Sequence, residues 1–386
     1  MTPLLTLLYE GCRPQDARWA LLGDTTMPYW DWTMLLVVFA YTAMQAALYY
    51  LPFGQVEHRG KDEDGQVLRY NINGLHAFVI SSALLVGMWS GGVFQACRIT
   101  GRIYSLVCAC YVLSFLIATL LYLHSFKKQP FSQTGPLLRD FALGKDINHR
   151  VFGIDMKHFF MVRIGFMGWG MVITCYLLAE IEKDGRVSLP MLLVVTFQLL
   201  YIVEFLLDEA SVLPTKEFTQ DGIGFLMIQG EYIYIPFYSS TAAFFLLQRP
   251  VQISLPSVFL ICLLYGAGFA IYYISNGQKN CFRKNPSDPA FAGLRTILSP
   301  SGQNLLVSGW FGWVRHPNYL GDIMMTWAWT LPCGFSSVLP YIPAVVCTNM
   351  LRERANEIEE ACEEKHGEAW KEYCRRVPYQ LLPNIY

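Results

Sequence analysis

The sequence predicts an all-α fold: a polytopic transmembrane helical bundle of about nine or ten membrane helices, with a cytosolic C-terminal helix. Two observations carry this. The 386 residues are 53% apolar and only 15% charged, whereas a soluble domain carries about 25% charge. The shortage is also uneven, because long apolar runs alternate with short polar loops. A net charge of -1 provides no global field for nucleic acid. The aromatic content (22 Tyr, 25 Phe, 10 Trp) suits interfacial belts and flat apolar ligands alike. The 11 cysteines include no C-x-x-C pair, and most lie inside apolar runs, as small buried hydrophobes with reduced thiols would.

Residues 1–32 form an N-terminal segment. Its start, Met1 to Tyr9, lacks a basic n-region, and Glu10 and Arg13 soon break the run, so no cleavable signal peptide is expected. Runs of about 20 residues, long enough to cross a bilayer, follow near 33–52, 75–97, 103–124, 160–182, 188–207, 224–247 and 255–275. Residues 33–275 thus form a transmembrane part, and 276–386 a C-terminal part. From 319 to 350 the chain stays apolar but carries Pro332-Cys333-Gly334 and Pro340, which predicts two paired helices joined at 333–339. Residues 351–375 are charged and predict a surface helix, and the tail from Val377 is irregular.

Basic loops face the cytosol. Loop 125–159 holds Lys127, Lys128, Arg139, Lys145, Arg150 and Lys157, and loop 276–304 holds Lys279, Arg283, Lys284 and Arg295. Both therefore lie on the cytosolic side, with the C-terminal helix.

Several polar residues sit at membrane depth, where hydrocarbon cannot satisfy them. Arg163 lies in the first turns of the 160–182 run, where snorkelling to the interface is expected. Tyr201 and Glu204 are three residues apart and share a helix face, with Asp208 one turn further on. Such a run of carboxylates marks either a helix leaving the membrane or a proton-delivering pocket, in which a buried phenol beside a carboxylate protonates a substrate carbon. Tyr201, Glu204 and Glu209 are the catalytic candidates. Glu231, just inside the next run, needs a partner more than any other residue.

The C-terminal part gathers a second polar set. Lys279 and Arg283 are four apart, so one helical turn presents both cations together, as a phosphate or pyrophosphate requires. Arg315, His316, Asn318 and Tyr319 follow in Trp313-Val314-Arg315-His316-Pro317-Asn318-Tyr319. Cys362, Lys365, His366 and Tyr373 lie on the terminal helix. Cations, stacking rings and amides on one side of the membrane suit a nucleotide coenzyme. No G-x-G-x-x-G follows a strand and no P-loop is present, which excludes Rossmann and Walker sites. No His or Cys spacing suits a metal, and no G-x-S-x-G elbow suits a serine hydrolase.

At these residues the chain resembles the sterol reductase family of the endoplasmic reticulum and inner nuclear membrane. That family includes sterol C14-reductases, 7-dehydrocholesterol reductase, sterol C24(28)-reductases and the membrane part of the lamin B receptor. The most specific stretches are Asn276 to Pro289, Asn304 to Leu320 and Val377 to Tyr386. Phe282-Arg283-Lys284-Asn285-Pro286-Ser287-Asp288-Pro289, Leu305 to Trp310 and Thr219 to Phe225 look closest to the C14-reductase and lamin B receptor branch. The resemblance implies NADPH-dependent reduction of a sterol ring double bond, most simply at C14, by a multi-pass protein of the endoplasmic reticulum membrane or the inner nuclear membrane. It implies a sterol substrate drawn from the bilayer lipids and no nucleic-acid partner. Carried over, the NADPH contacts are Lys279, Arg283, Leu306, Asn318, Tyr319, Cys362, Lys365 and Tyr373. Phe311, Arg315, His316 and His366 belong to the same motifs, and Tyr201 falls on a tyrosine proposed as proton donor.

The chain departs from the family pattern at several places. Phe311 stands for a second tryptophan, His366 for a tyrosine, Leu207 for a tryptophan, Asp208 for a His or Asn, and Ile358 for an aspartate thought to matter in catalysis. Ile358 keeps open a sterol-binding or scaffold protein with an impaired site. The Arg-His-Pro-x-Tyr motif, with Glu359-Glu360 downstream, keeps open a membrane methyltransferase using S-adenosylmethionine.

Overall fold

The computed structural model describes residues 29–61, 65–128, 136–300, 302 and 304–383. The N-terminal segment up to residue 28, on which the expectation of no cleavable signal peptide falls, lies outside the described residues. The chain divides into two compact units, one up to Pro250 and one from Val251.

In the first unit, α1 (Trp32–Tyr49) starts where the Asp31 carboxylate accepts the Thr33 N–H at 2.8 Å. A two-stranded antiparallel ribbon (Gln55–Lys61 with Val67–Ile72) leads to α2 (Gly74–Ser90). Then come α3 (Ile103–Lys128), a π-helical turn (Phe160–Phe166) running into α4 (Met167–Asp184), and α5 (Leu189–Leu207). The start of α5 is fixed by the Ser188 hydroxyl, which accepts the Met191 N–H, and by Pro190 in the first turn. A second π-helix (Gly230–Tyr238) and α6 (Thr241–Gln248) complete this unit. The two π-helices pack against each other, and α6 packs on α4 and α5. Val162, Met167, Ile173, Ile202 and Phe245 are fully enclosed among them.

In the second unit, α7 (Leu255–Lys284) begins at Ser254 with Pro256 in its first turn and ends in Arg283 and Lys284, cations that suit the negative end of the helix dipole. A short ribbon (Thr296–Leu298 with Asn304–Leu306) follows, then α8 (Pro317–Thr330), α9 (Ile342–His366) and α10 (Glu368–Arg376). The α7–α8 crossing is tight. A Cβ on Gly321 would lie 2.5 Å from the Gly268 carbonyl oxygen and 2.6 Å from the Tyr272 nitrogen, so the two backbones touch. Gly321→Val should therefore force the crossing apart and destabilise this unit by about 3 kcal/mol. A thermal melt of the detergent-solubilised protein at the wild-type midpoint would contradict this.

The architecture is mostly helical with a few small ribbons, as a polytopic helical membrane protein requires, but the helices are less regular than the apolar runs suggest. Among the described residues, five are long and apolar enough to cross: Trp32–Tyr49, Ile103–Ser125, Met156–Asp184, Leu189–Leu207 and Leu255–Lys284. The run at 75–97 stops at Ser90, where Gly91 and Gly92 follow. The run at 224–247 is not one α-helix. Pro236 has no N–H for the i→i+4 ladder, and the chain accommodates it by widening into the π-helix. The expected pair at 319–350 is found as α8 and the start of α9, joined through short 3₁₀ turns at Leu331–Cys333 and Leu339–Tyr341. The expected surface helix at 351–375 is instead the end of α9 and, beyond Gly367, α10. Helix α7 runs through position 276 without a break.

Arg163 corrects the snorkelling expectation. Its side chain is 0% exposed, and its guanidinium turns inward to the Asn73 side chain instead of out to the interface.

Candidate active site

The cationic site is built within the second unit. The last two turns of α7 present Lys279 and Arg283 on one face, as their spacing requires. The Lys279 ammonium lies 5.7 Å from the centre of the Phe311 ring. Neither cation has an ion-pair partner among the described residues, whereas Arg315 does. Two neighbouring cations without carboxylates repel each other, and an anionic ligand between them relieves that repulsion. The donor set therefore fits the phosphates of a dinucleotide.

Phe311 is held from two sides. It packs with Phe282 and Leu306 in one apolar cluster, and its carbonyl accepts the Tyr373 hydroxyl at 3.0 Å. Gln278, one residue before Lys279, accepts the Trp310 N–H through its side-chain oxygen at 3.2 Å. Gly309, at φ +66°, sits against that same side chain, so the 309–312 turn is pinned onto α7. Sequence reasoning missed Gln278. A lone glutamine at a helix end carries no signal of its own.

Cys362 is half-buried and packs on Val307, Trp370, Tyr373 and Val377. Burial pushes its thiol pKa up, against the pull of Lys279, Lys365 and Arg283. These cations and the thiol thus feel one another. Lys365 is exposed. Burial also pushes the Tyr373 phenol up.

Arg315 is already fully engaged. It forks onto Glu359, with Nε to Oε1 at 2.6 Å and Nη2 to Oε2 at 3.2 Å. Its Nη1 donates to the carbonyls of Val377 and Pro378 at 2.9 and 2.7 Å. The Arg315 and His316 N–H groups donate to the Tyr379 and Gln380 carbonyls. This motif clamps the C-terminal tail, which no periodicity in the sequence could reveal. His316 is buried and stacks on Tyr319 with ring centroids 5.3 Å apart. Asn318, in the first turn of α8, is half-buried and makes no side-chain hydrogen bond among the described residues. His366 is buried, and its Nδ1 lies 2.6 Å from the Ser299 hydroxyl, which ties the end of α9 to the 296–306 ribbon.

Burial holds the His316 pKa below the usual histidine value, although Glu359 pulls the other way. Burial disfavours the Glu359 carboxylate, but His316 and Arg315 outweigh it and keep its pKa low. Both shifts mean that the folded chain binds fewer protons than the unfolded one. Stability is then full above about pH 6.5 and falls as acid protonates first His316 and then Glu359. The melting temperature should drop between pH 7.5 and pH 5.5, and His316→Phe should flatten that drop. An unchanged pH slope in the variant would count against this account.

The second constellation belongs to the first unit. Tyr201 is half-buried on α5, with Phe166 stacked at 6.5 Å and Trp169 tilted at 6.0 Å. Phe166 also stacks tightly on Phe205 at 3.7 Å and 8°. Trp169 donates its indole N–H to Gln198 at 3.0 Å, one turn before Tyr201. Glu204 is half-buried one turn after it. Glu209, the third catalytic candidate, has a separate set of partners. It is 1% exposed, its Oε2 accepts the Gly74 N–H at 2.7 Å, and its Oε1 lies 3.1 Å from the His158 Nε2. It caps the positive end of α2. Glu231 is buried, and its Oε2 has no hydrogen-bond partner among the described residues.

Comparison with known proteins finds a family and named relatives. The model of the ergosterol biosynthesis ERG4/ERG24 family matches residues 15–386. Delta(14)-sterol reductase TM7SF2 of Mus musculus is 42% identical over 362 residues, covering 92% of this chain and 86% of that protein. Delta(14)-sterol reductase LBR of Gallus gallus is 38% identical over 357 residues, or 91% of this chain and 56% of its own length. Delta(14)-sterol reductase of Arabidopsis thaliana is 33% identical, with 92% and 95% covered.

Proposed function

Because this chain belongs to the ergosterol biosynthesis ERG4/ERG24 family, we propose that it reduces the C14 double bond of a sterol with NADPH, in the endoplasmic reticulum membrane. The observation that carries the cofactor assignment is the Lys279–Arg283 pair, cationic and unmatched by carboxylates among the described residues. Relatives named delta(14)-sterol reductases support the substrate assignment. The family match also leaves the methyltransferase alternative without support.

NADPH supplies a hydride, and the protein supplies the proton that completes saturation of the double bond. Lys279 and Arg283 hold the phosphates. Phe311, fixed by Phe282, Leu306 and Tyr373, lends a ring face beside them. Arg315, His316 and Glu359 keep the tail in place and so keep this wall closed. Tyr201, with its ring set between Phe166 and Trp169, is the proton donor. Glu204 on the same helix face is placed to return a proton to it. Glu209, bonded to a backbone N–H, holds α2 in place.

The sterol and the bilayer lipids are the expected partners. Ile358, half-buried on α9, favours a second reading, a sterol-binding scaffold, because an aliphatic side chain can neither donate a proton nor bond a ribose. Purified protein in nanodiscs, given a C14-unsaturated sterol and NADPH, should oxidise NADPH and release the saturated sterol in equal amounts. Sterol binding without NADPH oxidation would establish the scaffold instead.

A further inference from the structure

The most heavily buried charge in the first unit is assigned no part in the chemistry described above. Arg163 sits in the middle of the π-helical turn Phe160–Phe166, 0% exposed, in a segment long and apolar enough to cross a membrane. A charge there is costly, and it is not fully satisfied, because Nε and Nη1 find no hydrogen-bond partner among the described residues. The contacts Arg163 does make all reach toward α1 and α2. Its Nη2 donates to the Asn73 side-chain oxygen. The Asn73 amide in turn reaches the carbonyls of Leu48, Tyr49 and Leu51, each at 3.2 Å. The guanidinium lies 5.3 Å over the Tyr49 ring. The Tyr41 hydroxyl donates to the Arg163 carbonyl at 2.8 Å. The side chain and main chain of one residue thus bind the turn to the end of α1 and the start of α2.

The opposite side of the turn is held as well. A Cβ on Gly165 would lie 1.9 Å from the Glu231 Oε2, so the second π-helix is seated directly against the first. A π-helical turn is strained relative to an α-helix and persists when its surroundings fix it. The turn ends at Phe166, and that ring is the one stacked on Phe205 and Tyr201.

We propose that Arg163 is a positioning residue: by locking the π-turn it sets Phe166, and Phe166 sets the ring of Tyr201 in the orientation from which the phenol delivers its proton. The inference rests on Tyr201 being the donor. Arg163 touches no substrate and acts only through the turn.

The test is a double-mutant cycle in nanodiscs with NADPH and a C14-unsaturated sterol. Arg163→Gln should lower kcat about tenfold or more and leave the KM for NADPH within about twofold. Combined with Tyr201→Phe it should be no slower than Tyr201→Phe alone, because a positioning effect vanishes with the group positioned. A merely structural role would instead multiply the two losses, or raise KM together with a collapsed melt, and either result overturns the proposal. Wild-type kcat in Arg163→Gln overturns it too. Phe166→Leu, which removes the ring and no charge, should show the same non-additivity and serves if Arg163→Gln does not fold.

A readout independent of turnover separates this proposal from the donor assignment. With a fluorotyrosine placed at 201, Arg163→Gln should shift its fluorine NMR line, and an unmoved line overturns the positioning claim. Full activity in Tyr201→Phe alone would instead remove the donor assignment.

Discussion

Replacing Lys279 and Arg283 together by glutamine should raise the Kd for NADPH about a thousandfold while the protein still melts as a folded species. The reason is charge count on one helix face. Each charge-assisted hydrogen bond to a phosphate contributes about 1.5–3 kcal/mol, which is about tenfold to a hundredfold in affinity. Single replacements should therefore cost about tenfold or more each. They are one turn apart and feel the same ligand charge, so the double loss need not be the simple product. Fold should survive, because neither side chain holds an ion pair among the described residues and removal relieves mutual repulsion. Arg315→Gln should behave differently. It breaks the fork to Glu359 and frees the Val377 and Pro378 carbonyls, so it should lower the melting temperature as well as cofactor affinity. Titration of NADPH by its own fluorescence, with NADH as a comparison, measures both. A double variant that binds NADPH like the wild type would remove these two cations from the site. If one of them meets the extra phosphate, its single variant should also lose preference for NADPH over NADH.

What the sequence disclosed follows from the range of each interaction. Lys279 and Arg283 are neighbours through helical periodicity, so spacing alone placed them on one face. The long apolar runs announced the membrane helices because hydrocarbon imposes length and composition locally. The break at Gly230–Tyr238 was also signalled locally, by Pro236, yet the apolar run masked it. Other features depend on partners far along the chain. Arg315 meets residues 359, 377 and 378, and Arg163 meets Asn73, some 90 positions away. No local pattern encodes such pairs, and for Arg163 the local rule pointed the wrong way, to the interface. The same holds for the backbone contact between Gly268 and Gly321. Each is an unremarkable glycine until the other is brought beside it.

Tyr201→Phe should lower kcat by about 10²–10⁴ while leaving NADPH affinity and the melting temperature near wild type. The substitution deletes one oxygen and keeps the ring, so stacking with Phe166 and Trp169 is retained. What is lost is general acid catalysis, whose usual worth is that range. An isolated double bond needs an acid to accept hydride, because the carbon that takes the hydride must carry positive character. Protonating its neighbour creates that character. Water is a poor source inside a membrane helix bundle, and a carboxylic acid buried there would itself demand a partner. A phenol is the compromise: it keeps its proton at neutral pH, costs little to bury, and shares a helix face with Glu204. The surrounding rings add a second advantage, since aromatic faces attract a developing cation. Removing the hydroxyl should leave that cation-stabilising environment intact, so the variant should retain slow turnover with an enlarged solvent isotope effect as proton delivery becomes limiting. Wild-type kcat with an unchanged isotope effect would show that the proton comes from elsewhere, and Glu204 would then be the next residue to replace.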